Sequence, residues 1–193
     1  MPQNDVGIYA SQISGHLWAP NGAYDALATI TVPSGGVSSV TFAGIPTGYK
    51  HLQIRGIAKG NRSTYVDDLG IRVNGDTGSN YSFHRLYGFG VGSAGADAGA
   101  TQTSMNIGQM AGGTVNNSLG LGGVIVDILD YSSVSKNKTI RSLSGYDDNG
   151  QGAIEFASGA WYNSSTAISS ITLLPLIGTN IAEFSSFALY GVK

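Results

Sequence analysis

The sequence predicts an all-β protein built as an antiparallel sandwich or barrel, and three observations carry that prediction. About nine or ten short segments of β pattern recur, mostly roughly 8–15 residues apart, and no stretch has a helical period. Glycine is frequent, at 29 of 193 residues, and gathers in the turn clusters between those segments. Charge is sparse: Asp, Glu, Lys and Arg make up 11% of the chain against 41% hydrophobic residues. That is less than half the roughly 25% charged residues usual in soluble domains. Short strands joined by glycine-rich turns argue for a sandwich or barrel, and the lack of a fixed-period repeat argues against a β-helix.

Residues 1–23 hold Ile8, Tyr9, Ile13, Leu17 and Trp18 among small and polar residues, show no clear period, and end in Pro20-Asn21-Gly22. They are expected to form an irregular N-terminal arm, and residues 24–193 a single domain. The arm either straps onto its own domain or reaches a neighbouring subunit. In the second case Tyr9, Leu17 and Trp18 are the anchors, because aromatic side chains give large contact areas at low entropic cost.

From Tyr24 the pattern is β. Ala26, Ala28, Ile30 and Val32 alternate with Leu27, Thr29 and Thr31. Pro33-Ser34-Gly35-Gly36 then breaks the run before Val40 and Phe42, which reads as a hairpin. Leu52, Ile54, Gly56 and Ala58 share one face of the next strand. Ile71–Gly88 carries Asn74-Gly75-Asp76 between two β-prone segments, a strong hairpin signal. Gly88–Thr101 is Gly/Ala-rich and reads as a loop, flexible or closely packed. Thr103–Met110 reads as a short strand and Ala111–Leu119 as a second loop. Val124–Asp130 is a strand of nearly continuous apolar character. Lys138–Tyr146 follows, then the turn Asp147-Asp148-Asn149-Gly150, then a strand from Ile154 toward Trp161. Ile168–Leu174 and Glu183–Val192 close the chain.

The composition bounds function. Net charge is −2, the sequence pI is about 5.8, and no Lys/Arg run exists, so the electrostatic footprint of nucleic-acid binding is missing. With no cysteine, disulfide and thiolate chemistry are excluded. The N-terminus lacks a basic region followed by an apolar core, and no apolar run approaches ~18 residues. Neither export nor a membrane partner is expected.

No constellation of residues points to catalysis. His16, His51 and His84 sit among so many serines that no triad stands out, and the nucleophile-elbow pattern GxSxG is absent. His84 is expected to be a hydrogen-bonded structural residue. The Asp147–Asn149 turn lacks the alternating ligands and terminal glutamate of a calcium loop, and turn carboxylates usually serve the backbone. Glu155 and Glu183 are the only glutamates, with no glycosidase signature around them. The glycines at 88–92 open no helix, so they form no phosphate cradle. No metal or cofactor is expected. Trp161 and Tyr162, beside Asn163 and two serines, suit a flat sugar-binding platform, although core packing is the preferred reading of Trp161.

Four segments carry a resemblance. YKHLQIRGIA (Tyr49–Ala58), IRVNGDTGSNYSFHRLYG (Ile71–Gly88), ILDYSSVSKNKTIRSLSG (Ile128–Gly145) and FALYGVK (Phe187–Lys193) follow one another as in a family of small structural proteins from the virions of tailed bacteriophages. The chain resembles that family from about Tyr24 to Lys193, and the first 23 residues share no pattern with it. The resemblance implies a non-enzymatic building block, and by analogy with viral coat proteins a jelly-roll-like sandwich. It further implies a decoration or cement protein on the capsid exterior, assembled in the host cytoplasm, with the major capsid protein and its own copies, as a homotrimer, for partners. The alternative is a fibre, tail or receptor-binding module for host carbohydrate, with the loops at 88–101 and 111–120 as its recognition surface.

Overall fold

The computed structural model describes residues 22–114, 120–163 and 165–193. The described residues form twelve strands and no helix. They are β1 (Tyr24–Thr31), β2 (Val40–Phe42), β3 (His51–Ala58), β4 (Val66–Val73), β5 (Tyr81–Phe89) and β6 (Ser93–Gln102). There follow β7 (Met105–Ala111), β8 (Gly122–Leu129), β9 (Lys138–Asp148), β10 (Gln151–Trp161), β11 (Ile171–Pro175) and β12 (Ser186–Val192). One sheet has eight strands in the order β1-β12-β3-β8-β9-β10-β5-β6, the other four in the order β2-β11-β4-β7. All strand pairs are antiparallel. The two sheets pack face to face as a sandwich, and the chain crosses between them repeatedly, as in a jelly roll. The expected all-β sandwich is therefore the fold. The N-terminal arm lies outside the described residues.

Period-two patterning builds the core. In β8, Val124, Val126 and Ile128 point inward; in β3, Leu52 and Ile54; in β12, Phe187 and Leu189. The smaller sheet answers with Val40 and Phe42, Ile71 and Val73, Ile107, and Ile171 and Leu173. Of these, Leu52, Ile54, Ile71 and Ile107 have no exposed surface, so truncating any one to alanine costs roughly 2–5 kcal/mol.

Three expectations change. The segments either side of Pro33-Ser34-Gly35-Gly36 do not form a hairpin: β1 pairs with β12, and β2 with β11 in the other sheet. Gly35 and Gly36, both in the left-handed region, turn the chain across the sandwich instead. Ile71–Gly88 is likewise a crossover. Asn74 and Gly75 adopt the left-handed turn that their dipeptide favours, but β4 and β5 lie in different sheets. The corner is fastened elsewhere: Asn74 Oδ1 accepts the N–H groups of Ser169 and Ser170, and its Nδ2 donates to Ala167 O. Asp76 accepts from Gly78 N, Asn80 Nδ2 and Trp161 Nε1.

The third change is β6, a ten-residue edge strand where a loop was expected. Its glycines make the pairing fit. Gly95 and Gly99 lie opposite Tyr87 and Phe83, and a methyl group there would sit 2.7 Å and 2.6 Å from those rings. The rings lie over the glycines and shield the edge hairpin. By contrast, Asn149 and Gly150 close the β9–β10 hairpin as expected, with Asp148 paired to Gln151.

The two sheets come closest at β7, in which every residue is buried. Gly108, at φ +130°, lets its backbone rest on β9, and Gln109 N donates to Ser144 Oγ at 2.8 Å. A Cβ on Gly108 would lie 2.0 Å from that oxygen. Gly108→Ala therefore combines a disfavoured backbone with overpacking, each costing about 1–3 kcal/mol. Urea denaturation of this variant is expected to show a loss of roughly 4 kcal/mol, the central value of those two costs combined.

Candidate interaction surface

The eight-stranded sheet has an outer face that no described element covers. Cross-strand register arranges it in rows. One row runs Arg55, Ile125, Leu143, Phe156, Leu86, Ala96 across six strands, each residue directly paired with the next. Two residues along each strand, on the same face, lies the row Ile57, Gly123, Gly145, Ile154, Gly88, Ala94. On the other side of the apolar row lie Gln53, Asp127, Arg141, Ser158, His84 and Ala98.

Six large apolar side chains on this face are in water: Leu86 at 65% exposed, Phe156 at 61%, Ile154 at 59%, Ile57 at 48%, Ile125 at 41% and Leu143 at 38%. At roughly 100 Å² each they form a patch of about 600 Å², the top of the range for a monomeric protein. Two hollows indent the face. One of about 600 Å³ lies at Gly123, Ile125, Leu143, Gly145 and Ile154. The other, about 510 Å³, is bounded by His84, Leu86, Arg141, Phe156 and Ser158.

On the β3 side the polar groups satisfy one another. Gln53 Nε2 donates to Asp127 Oδ1 at 2.7 Å, Arg55 Nε donates to Gln53 Oε1 at 2.7 Å, and the Arg55 guanidinium lies over the rings of Tyr24 and Tyr190. Towards β5 the polar side chains Arg141, Ser158 and His84 are exposed. His84 is thus not the structural residue expected from its place in the sequence; its strand parity puts it outside.

The inner face holds a charged cluster that sequence reading missed. Arg85 forms a two-bond fork with Asp97, at 2.5 and 2.9 Å, and reaches Glu155 at 3.3 Å and Asp68, on the other sheet, at 3.7 Å. The rings of Phe83 and Tyr87 flank its guanidinium. Glu155 is buried, and among the described residues its Oε1 has no partner; nor has Gln109 Oε1. Both residues adjoin Ser144: Glu155 pairs with it in register, and Gln109 N bonds its hydroxyl. Burial, with Asp68 and Asp97 adding to it and Arg85 opposing, pushes the Glu155 carboxyl up to about 7. Burial also raises Asp68. A proton on Glu155 gives this buried carboxyl a donor that its charged form lacks.

The sequence-predicted site residues fare differently. Trp161 is 1% exposed, donates its indole N–H to Asp76 Oδ2 at 2.7 Å, and lies beside Lys138 Nζ. No face of its ring is free for a sugar, so the Trp161–Tyr162 platform does not form. Tyr162 alone is exposed, its hydroxyl bonded to Ser82. Trp161 holds Asp76 below the usual carboxylate range. Tyr9, Leu17 and Trp18 lie outside the described residues. Asp147 turns outward and bonds Asn149 N, while Asp148 turns inward, so the turn does not converge on an ion. Among the described residues no group of three or more His, Cys, Asp or Glu side chains could hold a metal.

No family model matches the chain, and no curated protein matches it. A solved structure, the galectin LEC-6 from Caenorhabditis elegans, is similar to it at 11% identity and a TM-score of 0.33, over 86% of this chain and 95% of that one.

Glu155 sets a pH dependence. The unfolded chain releases this proton near the ordinary value of 4.5, whereas the folded chain holds it to about 7. The contribution to stability is complete below pH 4.5 and is lost as pH rises through 7, a change on the order of 3 kcal/mol. Asp76 and Asp97, both lowered, act in the opposite sense and in a more acidic window. Glu155→Gln keeps the shape and removes the titration. Urea midpoints from pH 4.5 to pH 8 are expected to fall in wild type and to flatten in the variant.

Proposed function

We propose that this protein is a non-enzymatic virion component that decorates or cements a phage capsid through symmetric contacts among its copies and with the major capsid protein. The observation that carries the reading is the solvent-facing apolar row Ile125–Leu143–Phe156–Leu86. A self-contained subunit has no use for four large apolar side chains aligned across adjacent strands, and contiguous patches of this size mark contact surfaces. The resemblance to phage virion proteins and the low charge support the same reading, because neutral polar surface is cheaper to bury than ionic surface. Tyr9, Leu17 and Trp18 are the proposed anchors to the shell. Many weak contacts repeated by symmetry then add up by avidity.

A second reading, host-carbohydrate binding, is favoured by one hollow: Arg141, Ser158 and His84 stand beside the exposed ring of Phe156, and polar donors next to an apolar face suit a sugar.

Co-sedimentation with empty capsids tests the first reading. The full chain is expected to pellet with shells, and Leu17→Ala with Trp18→Ala to lower the bound fraction at least tenfold. A full chain that stays in the supernatant overturns capsid decoration. A glycan array tests the second: binding that Arg141→Ala abolishes supports it, and no binding at millimolar sugar ends it.

A further inference from the structure

The outer face is shaped and charged to fit itself. The row of Ile125, Leu143, Phe156 and Leu86 is a ridge. The next row runs parallel to the ridge two residues, or roughly 6.6 Å, away along each strand; it drops to a trough at Gly123, Gly145 and Gly88 and rises at Ile57 and Ile154. We propose that two copies of this chain pack their eight-stranded sheets face to face about a two-fold axis that runs along the rows, between ridge and trough. This deepens the assembly reading and rests on it.

The axis leaves each strand over its own copy and reverses its direction. Ile125 then seats over Gly123 of the second copy, Leu143 over Gly145, and Leu86 over Gly88, while Phe156 meets Ile154. Such an arrangement is isologous, with the same surface used twice, and it resembles the aligned packing of two sheets about 10 Å apart.

Three further observations support it. First, Gly123 is unexplained by the subunit. A Cβ there has nothing within 4 Å, and its backbone is not left-handed. Glycine inside a strand weakens it, and where nothing in the subunit demands it, close approach by another chain is the usual reason. Gly88 is similar, with only ordinary contacts at 3.5 Å and beyond. Second, the charges match. The same operation that sets Leu143 over Gly145 sets Arg141 over Asp147 of the second copy, since both lie on β9 two residues further out. Both are exposed, and symmetry gives the pair twice, at the rim. Third, the patch of about 600 Å², with its rim, approaches the about 800 Å² per partner of a standard interface.

Sedimentation velocity on the full chain over a concentration series tests the proposal. The expected result is a species of twice the 19.9 kDa subunit mass. Gly123→Val fills the trough with a Cβ that meets nothing of its own subunit, and is expected to weaken dimerisation at least tenfold without lowering the thermal midpoint of the monomer. Phe156→Arg is expected to do the same from the ridge. Arg141→Asp should weaken association, and Arg141→Asp with Asp147→Arg should restore it, a rescue that mere misfolding would not give. A monomer at every concentration, a Gly123→Val variant that associates like wild type, or a trimer indifferent to these changes each overturns the proposal. So does a drop in thermal midpoint in Gly123→Val, which would mean that the chain's own residues cover the face. Wild type that pellets with capsids yet never dimerises would sink the two-fold contact alone and leave capsid decoration standing.

Discussion

The close approach of Gly108 to Ser144 is the constraint on which the rest of the sandwich depends. With no side chain at Gly108, β7 drops onto β9, and Gln109 N finds its acceptor in the opposite sheet rather than in its own. Between the sheets near that contact lie Gln109, Asp68, Arg85 and Glu155, with Gln109 and Glu155 buried and the other two largely so. The ionic arrangement there follows from exclusion of water as much as from the residues themselves. Arg85 is fixed by the fork with Asp97 and by two aromatic rings, and what remains of its charge falls to Asp68 and Glu155. Burial outweighs the pull of that shared cation and pushes the Glu155 carboxyl up to about 7.

The inner face is thus over-specified, by apolar packing and by a polar layer in which most groups have one geometry available. The outer face is the reverse. Its residues obey the strand alternation, but a third of the positions in its three rows carry large side chains that belong in a core. Strand geometry explains where those side chains point; it does not explain why they are apolar. Contact with another chain does, and it also accounts for glycine at positions where the subunit leaves room for more.

Much of the fold was legible in the sequence. Alternation placed β1 and β3, a nearly continuous apolar run placed β8, and the Asp-Asn-Gly turn marked the bend between β9 and β10. Pairing was harder to read. Asn74-Gly75 has the backbone of a hairpin turn, yet the bonds from Asn74 to the 167–170 segment, nearly a hundred residues away, decide that the chain changes sheets. The Gly/Ala run of β6 looked like a loop because composition does not show that Tyr87 and Phe83 lie over its glycines. The ionic layer was hidden for the same reason: Asp68, Arg85, Asp97 and Glu155 are scattered along the chain and meet only through the strand order. The outer patch did leave a signal. In VIVDILD the apolar residues occupy both parities, and Leu143, Ile154 and Phe156 continue the pattern on neighbouring strands. A strand apolar on both faces is one that both faces must cover.

The covering of Gly95 and Gly99 by Tyr87 and Phe83 has a consequence for how the protein can diverge. Within β6 the inward positions are pinned, two by ring contact and Asp97 by its fork with Arg85. Ala94, Ala96 and Ala98, which alternate with them, touch only solvent and the end of the apolar row. Mutational drift in this strand is therefore confined to one side of it. Related chains can acquire new side chains along that margin, and with them new partners, while the hairpin beneath keeps its structure.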